Sequence, residues 1–407
     1  MEDLVKFEDY SLIEDAVNAF KHGEMVVIVD DKDREDEGDL VMGAEFVKPE
    51  SINFITLEAR GLLCVSITEK RAEELKLEYM VSNNTAFHNT PFTVSVDYKH
   101  GTTTGISAFD RAATIKALVE STNADDFAKP GHIFPLVSKN GGVLKRAGHT
   151  EAVADLAKLA GVFPAGVLCE ILDHDGSMAK GEKLLNFARK HKLRIITIAD
   201  LIQFRRRREK LVEVVSIVDM PTKYGSFKLH LYKNQIDPLD ISLALVKGTI
   251  SKDKPTLVRV HSECLTGDIF GSKRCDCGDQ LEAAFKLIEK EDSGVILYMR
   301  QEGRGIGLVN KILAYKLQDN GKDTVEANEQ LGFKADLREY GIGAQILTDL
   351  GLGKIKLLTN NPKKIIGLNG FDLDIVERIP LEIKPDINNK KYLETKRNKL
   401  GHLLNNL

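Results

Sequence analysis

Three of the five cysteines of the chain lie close together, and their spacing is typical of a metal site. Cys264, Cys275 and Cys277 follow a C-x10-C-x-C pattern. Thiolates at such spacing suit a tetrahedral Zn²⁺, and three protein ligands leave a fourth coordination position open, as catalytic zinc sites do. Single cysteines are usually small buried apolar residues, but these three lie in a polar segment. The sequence therefore predicts a zinc site, with His261 as the one obvious candidate for a fourth ligand.

A second polar stretch, residues 30–39, crowds carboxylates between two predicted strands, Met25–Val29 and Leu40–Ala44. Like charges repel each other unless a cation relieves them. Oxygen-rich ligands suit Mg²⁺, which takes one or two carboxylates and keeps several waters. The alternative interpretation is a solvated hairpin tip.

Two histidines of the same half lie in glycine-flanked loops. His132 follows a Pro-Gly pair, and His149 begins a predicted helix beside Arg146 and Thr150, where a phosphate would be favoured. Glu170 interrupts a predicted apolar strand, 167–172, and a buried carboxylate is costly unless it is paired or functional. Structural roles, or an outward-facing position for Glu170, are the alternatives.

Loops of the second half carry arginines and glycines. The segment 300–307, between a predicted strand and a predicted helix, suits a triphosphate or a ring edge, because arginine supplies a bidentate fork. It lacks the glycine spacing of a Walker or Rossmann motif. A further helix is predicted to begin at Ala335 and to include Asp336 and Arg338. The segment 359–364 is predicted to turn into a helix at its proline.

The elements that must position these residues alternate between strands and helices. The 407 residues argue for two domains, 1–208 and 209–407, of α/β and α+β class, each a mixed sheet with packed helices. Ser11 and Glu14 predict a capping box for the first helix. The basic run 205–208 is interpreted as a solvated helix end in the linker, and the tail beyond Pro385 as frayed.

Composition excludes several classes of protein. The net charge is −4 and no tryptophan is present, which argues against a nucleic-acid reader. No apolar run approaches the ~20 residues that cross a bilayer, and the first residues do not resemble a secretory signal. Five mostly clustered cysteines argue against a disulfide framework and favour a reducing cytoplasm.

Many multi-residue blocks, in order along nearly the whole chain, resemble a fused riboflavin-biosynthesis family. The first half resembles 3,4-dihydroxy-2-butanone 4-phosphate synthase through Asp33-Arg-Glu-Asp-Glu-Gly-Asp39, Thr104-Gly-Ile-Ser-Ala, Gly131-His-Ile-Phe-Pro-Leu and Arg146-Ala-Gly-His-Thr. The second half resembles GTP cyclohydrolase II through Arg259-Val-His-Ser-Glu-Cys, Cys275-Asp-Cys-Gly, Gln301-Glu-Gly-Arg-Gly-Ile-Gly and Leu358-Thr-Asn-Asn-Pro-Lys-Lys.

For the first half, the resemblance implies conversion of D-ribulose 5-phosphate to the butanone phosphate and formate, with Mg²⁺ or Mn²⁺ on Glu35 and His149. His132 and Glu170 match essential positions. Lys145 stands where relatives commonly have arginine, so charge is kept and the fork is lost. The implied sugar-phosphate contacts are Arg34, Glu35, Asp39, Arg146, Ala147, Gly148, His149, Thr150 and Glu170.

For the second half, the resemblance implies opening of the GTP ring with loss of formate and pyrophosphate, and one Zn²⁺ on the three cysteines. Asp336 maps to the proton acceptor, Arg338 to a proposed nucleophile, and Tyr315 to a position that assists the ring chemistry. Guanidinium is nearly always protonated, so physical reasoning favours Arg338 as a charge stabiliser. The implied GTP contacts are Arg259, Val260, His261, Ser262, Glu263, Gln280, Glu302, Gly303, Arg304, Thr324, Thr359 and Lys364.

The expected partners are therefore the small molecules GTP and ribulose 5-phosphate, with no nucleic acid and no membrane. The resemblance also suggests a homodimer. The alternative hypothesis is a zinc-dependent nucleotide sensor with a single active half. A sensor would tolerate loss of Asp336 and Arg338, yet the chain has both.

Overall fold

The computed structural model describes residues 10–31, 34–86, 88–333, 336, 338, 340–368 and 371–405. The chain separates into two compact units, Met1–Arg205 and Arg206–Leu407. No helix of the described residues is both long enough and apolar enough to span a bilayer.

The first unit is built on a mixed sheet with helices on both faces. Its strands are β1 (Val26–Val29), β2 (Gly38–Gly43), β3 (Cys64–Thr68), β4 (Val96–Tyr98), β5 (Phe127–Ser138), β6 (Gly166–Glu170) and β7 (Arg194–Thr197). In the part of the chain that is described, they form a seven-stranded sheet in the order β4-β5-β3-β6-β2-β1-β7. The helices are α1 (Ile13–Lys21), α2 (Pro49–Glu58), α3 (Glu69–Glu74), α4 (Ala108–Glu120), α5 (His149–Ala160), α6 (Glu182–His191) and α7 (Ile198–Arg208).

Strand β1 shows why both faces are covered. Val27 and Val29 pack into one hydrophobic cluster, and Val26 and Ile28 pack into another. Successive side chains of a strand point to opposite faces, so a strand made only of valine and isoleucine needs a core on each side. β1 pairs antiparallel with β2, and the acidic stretch connects them.

Three local predictions for the first unit were wrong. The capping box does not form, because α1 begins at Ile13 and the Ser11 hydroxyl accepts a hydrogen bond from the Ile195 amide instead. Glu170 ends β6 and does not lie in its middle. Arg205 is not solvated, since it is buried and lies 2.7 Å from Asp155.

The second unit has a mixed sheet that is antiparallel at one side and parallel at the other. Its strands are β8 (Val212–Thr222), β9 (Gly225–Asn234), β10 (Ile241–Lys247), β11 (Thr256–Ser262), β12 (Gly294–Met299), β13 (Lys354–Leu358) and β14 (Asp374–Ile379). Counting described residues only, seven strands run in the order β14-β13-β11-β12-β10-β9-β8. The helices are α8 (Leu265–Asp268), α9 (Cys277–Glu289), α10 (Gly307–Asp319), α11 (Thr324–Gln330), α12 (Gly341–Asp349), α13 (Pro362–Leu368) and α14 (Lys390–Leu400).

The parallel strands place the second unit's polar loops together. β11 pairs in parallel with both β12 and β13, so their carboxyl ends meet at one edge. The loops that leave this edge begin at Glu263, Arg300 and Thr359. Ligands of open sheets bind outside the carboxyl ends of the strands, and this edge is where the predicted nucleotide residues converge.

The predicted class, two mixed sheets with packed helices, is confirmed, but two elements of the second unit differ from prediction. The predicted start of a helix, Ala335, lies outside the described residues. Asp336 and Arg338 are described and precede α12, which begins at Gly341. The tail is not frayed, because residues 390–400 form α14 and Leu393 is buried.

Candidate active sites

The three clustered cysteines converge in the second unit. Cys264 follows β11, and Cys277 begins α9. The sulfurs of Cys264 and Cys275 are 3.6 Å apart, and the three Sγ atoms all lie within 4.8 Å of one another. Gly267 adjoins them, and a Cβ there would lie 2.9 Å from the Cys275 sulfur. Such a compact set of soft donors fits Zn²⁺.

His261 does not act as a fourth ligand in this arrangement. Its Nε2 lies 3.1 Å from both carboxylate oxygens of Asp268, and the Tyr298 hydroxyl donates to the same carboxylate at 2.9 Å. Burial lowers the pKa of His261. The three cysteines form the metal-ligand group that the described residues offer at this place.

A buried lysine supports the sulfur cluster. Lys311 Nζ lies 3.2 Å from Cys264 Sγ and 2.8 Å from a Glu302 oxygen. Although burial opposes its charge, the hydrogen bond to Glu302 and the charge of Cys264 raise the pKa of Lys311. The Cys275 and Cys277 thiols, followed by Lys311, lower the pKa of Cys264. A thiolate at Cys264 is therefore favoured, and thiolate is the form that binds metal.

A pocket opens onto the cysteines. Its walls bring together residues that are far apart in sequence, and many of them are cationic. Of the predicted GTP and catalytic residues, those that line it are Arg259, His261, Ser262, Glu263, Gln280, Glu302, Gly303, Arg304, Tyr315, Thr324, Arg338, Thr359 and Lys364. Val260 is not among the lining residues; its carbonyl accepts a hydrogen bond from Lys364 Nζ at 2.6 Å.

Hydrogen bonds orient one arginine of the pocket, and other polar atoms of the pocket have no hydrogen-bond partner among the described residues. Arg259 donates to Gln280 at 2.6 Å and to the Leu358 carbonyl at 3.0 Å. Burial lowers the pKa of Arg259 to about 10. Among described residues, Ser262 Oγ and Arg304 Nη1 are buried without a hydrogen-bond partner. Buried polar atoms are rarely left unpaired, so the pocket is suited to a polar, anionic ligand.

Asp336 and Arg338 form a bidentate pair beside this pocket. Arg338 Nε and Nη2 donate to the two Asp336 oxygens at 2.9 and 2.6 Å. Burial favours protonation of the carboxyl, but the hydrogen bonds from Arg338 lower the pKa of Asp336. Burial also opposes the guanidinium charge, yet Asp336 raises the pKa of Arg338. Arg338 is thus protonated in this arrangement.

Tyr315 lies on the sulfur side of the pocket. Its hydroxyl is 3.1 Å from the Thr266 hydroxyl, and the Arg274 guanidinium lies 5.0 Å from its ring centroid. Lys311 is one turn earlier on α10, so both side chains reach the same place.

The sequence reasoning missed several residues of this pocket. Lys311 shares the helical spacing of Tyr315, which could have indicated it. Asn360 and Asn361 lie within a motif already noted. Tyr392, Lys396 and His402 also line the pocket, but they come from the tail, and no local pattern marks them.

The acidic loop of the first unit gathers a second candidate metal group. Asp30, Glu35 and His149 offer ligand atoms within 4.8 Å of one another. Glu35 and His149 were predicted, and Asp30, a member of the same loop, was missed. Arg34 spans the group, 2.7 Å from Asp30 and 2.8 Å from Glu35. His149 Nε2 is buried without a partner among described residues, so the site fits a hard cation with one imidazole ligand.

Asp39 and Glu170 lie on adjacent strands next to this group. They are register partners in the β2–β6 pair, and Asp39 lies 3.9 Å from His149 Nδ1. Burial, followed by the charge of Glu170, raises the pKa of Asp39 well above its usual value. Glu170 accepts a hydrogen bond from the Leu62 amide at 2.8 Å.

The loop 146–150 leads into the first turn of helix α5. Arg146 donates to Glu151 at 2.7 Å, and the Gly148 amide donates to the Arg146 carbonyl. The loop continues through Ala147 to His149 at the first position of α5. The Thr150 carbonyl accepts a hydrogen bond from Ser66 at 2.6 Å.

His132 is held by a carboxylate of the neighbouring strand. It lies on β5, and its Nδ1 is 2.6 Å from Asp97 on β4. The Asp97 carboxylate also accepts from the His132 amide at 2.9 Å. This partner fixes the ring orientation and the tautomer.

Comparison with known proteins identifies both halves. The family 3,4-dihydroxy-2-butanone 4-phosphate synthase matches residues 14–204, and the family GTP cyclohydrolase II matches residues 213–380. A protein of Chlorobium phaeovibrioides named riboflavin biosynthesis protein RibBA is 58% identical over 96% of this chain and 96% of its own length. A protein of the same name from Bacillus cereus is 58% identical, covering 97% of this chain and 99% of the relative.

The chain belongs to this riboflavin biosynthesis family. It carries the domains of two enzymes, the synthase and the cyclohydrolase, so the predicted bifunctional assignment is confirmed. A crystal structure of RibBX, a two-domain 3,4-dihydroxy-2-butanone 4-phosphate synthase from A. baumannii, is 40% identical with a TM-score of 0.71. It is matched over 92% of this chain and 100% of that one.

Proposed function

We propose that the pocket of the second unit binds GTP for hydrolysis to the diaminopyrimidine nucleotide, formate and pyrophosphate. The observation that carries the proposal is the junction of three converging sulfurs with a pocket lined by buried cations. Cys264, Cys275 and Cys277 would hold Zn²⁺, which supplies Lewis-acid chemistry when bound. Arginine and lysine side chains suit a triphosphate, because their charges neutralise the phosphate oxygens.

Within this pocket the guanine end and the phosphate end receive different residues. Arg259, held by Gln280, would orient the nucleotide. Arg304 and Lys364 would contact its phosphates, and the free Nη1 of Arg304 supports that role. The remaining predicted contacts are assigned to GTP as well: Val260, His261, Ser262, Glu263, Glu302, Gly303, Thr324 and Thr359. Tyr315 would assist at the ring.

For Arg338 we favour charge stabilisation over attack on the α-phosphate. A nucleophile needs a free lone pair, and the two hydrogen bonds to Asp336 favour the cationic guanidinium. A fixed cation near the phosphates lowers the energy of the developing charge. Asp336, an acceptor of two charged hydrogen bonds, would take up a proton when Arg338 turns to the substrate.

For the first unit we propose ribulose 5-phosphate as substrate and Mg²⁺ or Mn²⁺ as metal. Glu35 and His149 would hold the metal, with Asp30 as an added candidate, and a cation bound there would supply Lewis-acid chemistry. Arg34, Asp39 and residues 146–150 would hold the sugar phosphate. His132, oriented by Asp97, and Glu170 would move protons.

Three further points remain predictions: the assignment of the synthase to residues 1–208 and of the cyclohydrolase to residues 209–407, a homodimeric state, and a cytoplasmic location. Size-exclusion chromatography with light scattering would test the dimer.

The direct test pairs metal analysis with two assays on the full chain. We expect about one zinc per chain, formate and pyrophosphate from GTP, and formate from ribulose 5-phosphate with Mg²⁺. Tight GTP binding without turnover would instead favour the sensor hypothesis. Absence of ribulose 5-phosphate conversion would refute the assignment of the first unit.

A further inference from the structure

The C-terminal helix α14 is built into the pocket of the second unit. Lys396 of this helix is buried, and its Nζ lies 2.5 Å from an Asp276 oxygen. The helix also carries buried Leu393, and the Leu403 amide beyond it donates to the Asn360 carbonyl at 2.8 Å. This segment lies beyond the residues that match the cyclohydrolase family.

Asp276 connects helix α14 both to the clustered cysteines and to Arg259, a predicted GTP contact. It stands between two of the clustered cysteines, Cys275 and Cys277, and is buried. Its second oxygen accepts a hydrogen bond from Gln280 Nε2 at 2.6 Å. Gln280 Oε1 in turn accepts from Arg259 at 2.6 Å. The four side chains therefore form one chain of hydrogen bonds, from Lys396 through Asp276 and Gln280 to Arg259.

We propose that Lys396 is a positioning residue for GTP binding, which acts through Asp276 and Gln280 on Arg259. The ammonium group neutralises Asp276, so this carboxylate can remain buried beside the sulfurs and hold the Gln280 amide in one orientation. The amide oxygen of Gln280 then faces Arg259 and fixes the guanidinium toward the nucleotide. This inference rests on the proposed GTP site of the second unit.

The physical need for Lys396 follows from burial and charge. A buried carboxylate without a cationic partner is strongly unfavourable. If Lys396 lost its charge, the nearest cation in the hydrogen-bond chain would be Arg259, two links away. Arg259 would then be drawn toward Asp276 and away from the nucleotide. Binding lost equally in the ground and transition states raises KM and leaves kcat nearly unchanged.

Three variants of the full chain test this proposal. Lys396→Met removes the charge at similar length. Lys396→Arg keeps a cation next to Asp276. The double variant Lys396→Met with Asp276→Asn removes both charges but keeps an amide oxygen that can accept from Gln280. Lys390→Met, an exposed lysine of the same helix, is the matched control.

We expect Lys396→Met to raise KM for GTP about tenfold or more with kcat within about threefold of the parent. The arginine variant, the double variant and the control should stay within about threefold in KM. Zinc content and ribulose 5-phosphate turnover, measured on the same samples, report whether each unit is folded.

Three results would overturn the positioning role. An unchanged KM in Lys396→Met would show that Arg259 does not depend on Lys396. A double variant as impaired as Lys396→Met would mean that Lys396 acts on the nucleotide directly. If Lys396→Met did not fold, a KM raised about tenfold in the folded arginine variant would also refute it. Failure of the parent protein to consume GTP would instead refute the proposed function.

Discussion

Replacing Cys275 by serine should remove zinc and GTP turnover while sparing the first unit. The three sulfurs act as one ligand set within 4.8 Å. Serine keeps the size of the side chain, but its hydroxyl does not ionise as a thiol does, and the thiolate is the ligand that zinc prefers. We expect the first unit to keep its activity because each predicted ligand set lies within its own unit.

The size of the effect can be worked from the ligand count. Structural zinc sites with four ligands bind with roughly 10–16 kcal/mol, which is about 2.5–4 kcal/mol per ligand. Loss of one ligand should therefore weaken zinc binding on the order of 10²–10³-fold. Independent sites usually couple by less than about 0.5 kcal/mol. Ribulose 5-phosphate turnover should therefore change by no more than roughly twofold.

The assay measures zinc affinity by competition with a chromogenic chelator, together with formate from each substrate. His149→Ala should give the mirror result, with ribulose 5-phosphate conversion lost and GTP turnover kept. Cys64→Ala, which removes a buried sulfur of the first unit, should keep the zinc. Unchanged zinc affinity in Cys275→Ser would refute the ligand assignment. Loss of both activities in either folded variant would refute separate sites.

Three further predictions concern individual groups. Asp336→Asn should lower kcat for GTP by about 10²–10⁴-fold, because an amide cannot take up the proton. Arg338→Lys, which keeps the charge but not the bidentate fork, should lower kcat less. Near-normal turnover of Asp336→Asn would contradict the role of Asp336 as proton acceptor. Asp97→Asn should slow ribulose 5-phosphate conversion on the order of 10²-fold, because a neutral amide replaces the carboxylate charge that lies 2.6 Å from the His132 ring. An unaltered rate would count against His132 as an acid–base group. Chelation of zinc should let Cys264 react with Ellman's reagent at pH 8, because the neighbouring thiols of Cys275 and Cys277 lower its pKa. Cys64 and Cys169 should stay unreactive, since burial raises the pKa of both thiols, that of Cys169 to about 12. No increase in reactive thiol on chelation would argue against zinc on the clustered cysteines.

The sequence by itself determined the elements and the residues with local signals. Valine-rich runs predicted β1, and helical spacing predicted α5 with His149 at its start. The cysteine spacing predicted a ligand set, because a single residue separates two of its members and the third follows a strand. These signals are local, since chain neighbours are spatial neighbours.

Only the tertiary structure decided which distant groups meet. Lys396 reaches Asp276 across 120 positions, and the parallel pairing of β11 with β13 brings residue 359 to the pocket that the cysteines line. Asp268, not a metal, proved to be the partner of His261. Such pairings depend on which strands and helices pack together, and side chains separated by long loops leave no periodic trace in the sequence. The physical reason is that burial and charge pairing act through space, whereas sequence patterns record only the neighbourhood of each residue along the chain.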